Sequence, residues 1–75
     1  MISIQEFCCF SLNGRLRLLL HYGELIFEKV TKAQTIAVFR LHSFHVVVTR
    51  NLKESRILSI EPVLQKDLLL LYMTL

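Results

Sequence analysis

Apolar positions recur with a period of two at the start of the chain. Ile2, Ile4, Cys8, Phe10 and Leu12 fall on one parity of a first run, and Leu16, Leu18, Leu20 and Tyr22 on one parity of a second, with Asn13-Gly14 between them. Such alternation reads as two strands, and Asn-Gly between alternating runs is a strong hairpin signal. A strict two-residue loop would set Leu12 opposite Arg15 and Phe10 opposite Arg17, apolar beside basic. A bulged three-residue loop instead places Leu12 beside Leu16, Phe10 beside Leu18 and Cys8 beside Leu20, and leaves Arg15 in the loop. The bulged hairpin is the expectation, because it gathers one apolar face.

After Gly23 the period changes. Ile26, Val30, Ala33, Ala37 and Leu41 recur at helical spacing, while Glu24, Glu28, Thr31, Lys32, Thr35 and His42 gather opposite, with Glu28 and Lys32 in the favourable i, i+4 order. The pattern predicts an amphipathic helix over 24–42. A strand from Thr35 onward is the competing reading, supported by β-branched and aromatic content. Phe44 to Arg50 and Arg56 to Ile60, joined by the polar stretch Asn51 to Ser55, predict a second hairpin. Pro62 suits the first turn of a final helix, with Leu64, Leu68, Leu71 and Leu75 on one stripe. The predicted class is α+β, in the order ββαββα: a small antiparallel sheet of two hairpins with both helices on one face. A mostly β chain is the alternative.

With 75 residues the chain is expected to form one small domain, residues 1–75. Domains of this size bury only about 60% of the surface that their unfolded chains expose. Yet 53% of the residues are apolar, above the roughly 45–50% usual in globular domains. Disorder is therefore not expected, and some apolar surface should remain for a partner. The C-terminal stretch is the strongest candidate. Leu68 to Leu75 carries no charge, and Leu69, Leu70 and Tyr72 lie off the main stripe, so one surface cannot cover it. Leu68, Leu71, Tyr72 and Leu75 are the expected contact with a partner protein or a second copy.

The charge balance supplies a second candidate. Nine Lys and Arg against six Asp and Glu give a net +3 without any basic cluster. In the hairpin reading Arg17 and His21 share a strand face, and Arg40, Arg50, Lys53 and Arg56 join them if the second hairpin presents the same side. Phosphates would be the natural partner of such a face, with Phe7 as its stacking platform. Nucleic-acid binding by a basic sheet face is thus the alternative function.

Other chemistry finds little support. The longest uncharged stretch, Leu41 to Thr49, is far too short for a transmembrane helix. No basic residue precedes Glu6, so a secretory signal is not expected and an intracellular, cytoplasmic setting is. Adjacent Cys8 and Cys9 cannot build a disulfide framework and are expected as reduced, buried thiols. The spacing of His42 and His45 sends the two side chains to opposite faces of a strand, so no zinc site or cofactor is expected. Gly-rich phosphate loops, nucleophile elbows and H-E-x-x-H helices are all missing from the sequence. The chain reads as a non-enzymatic interaction or assembly module.

Overall fold

Ser3 and Ser11 decide how the N-terminal third folds. In this computed structural model, which describes residues 2–64, 66 and 67, the Ser3 hydroxyl accepts from the Glu6 N–H and the Glu6 carboxylate accepts from the Ser3 N–H, both at 3.1 Å. This reciprocal cap starts helix α1 (Ile4–Cys8). Ser11 caps helix α2 (Leu12–Tyr22), its hydroxyl accepting from the Gly14 N–H at 3.2 Å. Asn13-Gly14 therefore lies in the first turn of a helix, and the expected first hairpin does not form. Leucines at 16, 18, 19 and 20 satisfy a period of two or of 3.6 alike, and the two caps satisfy orphan N–H groups that helix starts otherwise leave open.

Helix α2 stops at Gly23, whose N–H donates to the Leu19 carbonyl at 2.9 Å. The chain then forms four strands, β1 (Glu24–Val30), β2 (Gln34–Leu41), β3 (Phe44–Asn51) and β4 (Arg56–Val63), paired antiparallel in the order β1-β2-β3-β4. The expected helix over 24–42 is thus a hairpin of β1 and β2. Its turn is built by Thr31, whose N–H and hydroxyl both donate to the Gln34 carbonyl, at 2.9 and 3.0 Å. In β2 both parities are apolar, Ala37, Phe39 and Leu41 on one side and Ile36 and Val38 on the other, as a central strand requires. A single helical stripe accounts for only part of that content. The competing strand from Thr35 onward matches β2 closely.

The second hairpin is present as β3 and β4, with Asn51 Oδ1 accepting from the Glu54 N–H at 3.1 Å in the connecting loop. Pro62 belongs to β4, opposite Val46, rather than to a helix start. On an edge strand its missing N–H costs no ladder bond. Lys66 and Asp67 are helical, while the predicted stripe positions Leu68, Leu71 and Leu75, with Tyr72, lie outside the described residues.

Both helices pack on one face of the sheet, where Phe7, Leu19, Leu41, Phe44, Val46 and Ile60 form the buried cluster. Phe7 meets Phe44 edge to face, ring centroids 5.7 Å apart. The antiparallel sheet with two helices on one face is therefore there, in the order ααββββ instead of ββαββα.

Candidate interaction groove

Arg15 fixes α2 against the sheet. Its side chain is only 15% exposed, and its guanidinium donates to three carbonyls: Phe10 at 3.2 Å, Cys8 at 3.0 Å and Ile60 at 2.7 Å. It also lies 5.5 Å from the centroid of the Phe7 ring and 3.4 Å from the Glu61 carboxylate. One planar fork thus joins the end of α1, the α1–α2 connection and edge strand β4.

Held this way, α2 buries Leu19 and leaves a groove beside it. Ala37, Phe39, Val48 and Ile57 form the floor, Leu16, Leu19 and Leu20 one wall, and Glu28 and Arg50 the charged rim of a space of about 180 Å³. The ladder explains the placement. Ala37, Val48 and Ile60 occupy one row across the sheet, and Val30, Thr35, Arg50 and Ile57 the next row outward. The buried cluster lies toward the β2–β3 loop, and Leu16, Leu19 and Leu20 stand beside the outer-row residues Arg50 and Ile57. Leu20 remains 74% exposed and Val30 65%.

The six basic positions do not make one sheet face. Arg17 and His21 lie one helical turn apart on α2, both exposed, and not on a strand. Arg50 points to the helix-bearing face, whereas Arg40 lies on the opposite face and pairs with Glu24 across β1 and β2. Lys53 sits in the β3–β4 loop, and Arg56 opens β4 within 3.8 Å of Glu54. Alternation of side chains along the strands separates Arg40 from Arg50. Phe7, expected as an exposed platform, is wholly buried in the core. The reverse holds for Cys8 and Cys9, which are exposed free thiols. Tyr22 is the exposed aromatic of α2, its ring 6.1 Å from that of His21 and 6.2 Å from that of His42.

The sequence reading missed the groove because it assigned Leu16 and Leu20 to a strand. A helix begun at Ser11 puts Leu16, Leu19 and Leu20 on one side by spacing alone. Among the described residues no helix is long and apolar enough to cross a membrane. No family model, curated protein or solved structure matches the chain.

Proposed function

We propose that this chain is a small, non-enzymatic protein-interaction module whose α2–sheet groove receives an apolar segment of a partner protein, flanked by acidic residues. The observation that carries the reading is the groove itself: an apolar floor of Ala37, Phe39, Val48 and Ile57 beside exposed Leu20. At about 180 Å³ it is smaller than the space of roughly 300–1,000 Å³ that small-molecule and cofactor sites usually occupy. One or two side chains of a protein segment suit it better. Arg50 on its rim, Arg17 on the neighbouring turn and the net +3 of the chain favour acidic flanks. An intracellular setting accords with exposed Cys8 and Cys9 kept as thiols. The contact expected through Leu68, Leu71, Tyr72 and Leu75 falls outside the described residues, so the groove is the surface on which this reading stands.

Calorimetric titration with a short synthetic amphipathic peptide, leucines on one face and glutamates at both ends, tests it. Leu20→Glu should weaken binding by at least about tenfold, or about 1.4 kcal/mol, and Arg50→Glu should weaken it and reduce its salt dependence. Both positions are exposed, so the fold should tolerate the changes. Absence of binding, or binding indifferent to both variants, would defeat the reading.

A further inference from the structure

At the end of the sheet away from the β2–β3 loop, the β1–β2 turn and the β3–β4 loop emerge side by side beyond the Gln34–Asn51 pair. The Leu52 N–H donates to the Ala33 carbonyl at 3.1 Å and ties one loop to the other. Each is also fixed from within. The Gln34 N–H donates to Thr31 Oγ1 at 3.1 Å, and Asn51 Oδ1 is held by the Glu54 N–H. Between the two loops lies an open hollow of about 530 Å³, lined by Lys32, Ala33, Asn51, Leu52 and Lys53. That space falls within the roughly 300–1,000 Å³ of small-molecule sites, a range that the α2–sheet groove does not reach.

The lining carries positive charge without a balancing carboxylate. Neither Lys32 nor Lys53 forms an ion pair among the described residues. Glu54, the acidic residue of the β3–β4 loop, lies 3.8 Å from the Arg56 guanidinium and does not line the hollow. Arg50 and Arg56, near the strand ends that flank this loop, add to the positive potential. A concavity lined by one sign of charge concentrates counterions of the other sign.

The donors select among anions. Each lysine offers three rotatable N–H groups, and the Asn51 carboxamide, its oxygen already engaged, offers its NH₂. Point donors converging from separate loops suit oxygens arranged tetrahedrally around phosphorus. A planar carboxylate is matched better by a guanidinium fork, and among the described residues no arginine lines the hollow. Ala33 and Leu52 place apolar surface beside the cations, with Leu52 37% exposed.

We infer that this hollow binds a small organic phosphate, its phosphate between Lys32 and Lys53 and hydrogen-bonded by Asn51, its carbon skeleton on Ala33 and Leu52. The phosphate belongs to a soluble molecule or to a lipid headgroup, and the chemistry of recognition is the same. The hollow shares no lining residue with the α2–sheet groove, so the two sites stand or fall separately.

Titration of the full chain with phenyl phosphate at low salt, followed by amide chemical shifts, tests the site. Saturable changes are expected at Lys32, Ala33, Asn51, Leu52 and Lys53. Lys32→Gln and Lys53→Gln, both at exposed positions that the fold should tolerate, should each weaken binding about threefold or more. Benzoate, with the same ring on a carboxylate, should also bind at least about threefold more weakly. Vesicles of phosphatidylcholine with and without phosphatidic acid separate the sources. Co-sedimentation only with phosphatidic acid, lost in the double variant, would support the site with its phosphate on a lipid; phenyl phosphate binding without co-sedimentation would support it with a soluble ligand. Absence of saturable changes together with absence of co-sedimentation would overturn the proposal. Binding indifferent to both lysine variants, shifts spread equally to Arg17 and Arg40, or benzoate binding as tightly as phenyl phosphate would overturn it as well.

Discussion

Arg15 is the residue on which the helix-to-sheet attachment turns. Its three acceptors are backbone carbonyls: Cys8 at the end of α1, Phe10 in the α1–α2 connection and Ile60, 45 positions away in sequence. Hydrogen bonds from a charged donor contribute about 1.5–3 kcal/mol each in net terms, and of the three only the bond to Ile60 is partly buried, so its carbonyl left unpaired adds a desolvation cost. Arg15→Ala should therefore lower stability by about 2–4 kcal/mol in denaturant unfolding. Arg15→Lys should recover less than half of the loss, because an ammonium cannot reach three carbonyls in a planar fork. A loss below about 0.5 kcal/mol, the range of ordinary surface substitutions, would show that α2 is held by apolar packing alone.

Glu6 gives a pH-dependent counterpart at the same scale. Hydrogen bonds from the backbone and side chain of Ser3 hold its carboxyl below the ordinary value of 4.5. The folded chain then binds fewer protons than the unfolded chain as pH falls below 4.5, so the cap's contribution is complete above that pH and is lost as pH drops through the lowered value. In an NMR titration, Ser3→Ala, which keeps the backbone N–H and removes the hydroxyl, should move Glu6 part of the way back toward its ordinary value and fray α1. A Glu6 that titrates in that variant as low as in the unaltered chain would contradict the role of the capping box.

Among the elements, the β2–β3 loop carries a testable strain. His42 occupies the first position of a two-residue loop between Leu41 and Phe44 with φ of 57°, and Ser43 is not in the positive-φ region. Hairpin loops of that kind favour Gly at the first position, since a Cβ there crowds the backbone. His42→Gly should raise stability by about 1 kcal/mol, offset in part by loss of the contact with Tyr22. Thermal unfolding with an unchanged or lowered midpoint would argue that the ring contact outweighs the strain. Gly23 is constrained for a different reason. A Cβ there would come within 2.6 Å of the Leu19 carbonyl oxygen, so Gly23→Ala must displace the end of α2 and should destabilise.

How much of these elements could be read from sequence follows from the same details. The β3–β4 hairpin was legible because a β-branched run, a polar loop and a returning apolar run agree. Strand β2 was legible only as the weaker of two periods, since Ala33, Ala37 and Leu41 imitate a helical stripe. The N-terminal helices were misread although their caps are written in Ser3, Glu6 and Ser11, because Asn13-Gly14 and the leucine run favoured a hairpin locally. Arg15 could not be recognised as an anchor, because nothing in its neighbourhood names a backbone carbonyl of β4. The groove inherits both errors: its wall depends on α2 being helical, and its floor on β2 being a strand.

For the whole molecule, a small sheet covered on one side by a five-residue and an eleven-residue helix cannot hide all its apolar groups. Exposed Leu20, Val30 and Leu25 line the edge where α2 and β1 leave the sheet partly open. Edge strand β1 is broken by a bulge between Leu25 and Phe27, which discourages indiscriminate pairing with other strands. Leu20, the most exposed of the large apolar side chains among the described residues, stands on the wall of the groove, in agreement with the proposed interaction module.

The most direct test of that account is a map of amide and methyl chemical shifts on the full chain as the acidic-flanked leucine peptide is added. The account predicts the largest changes at Leu16, Leu20, Ala37, Val48, Arg50 and Ile57, with Arg40 and Val47 on the opposite face little affected. Changes centred on the opposite face, or none at saturating peptide, would contradict it.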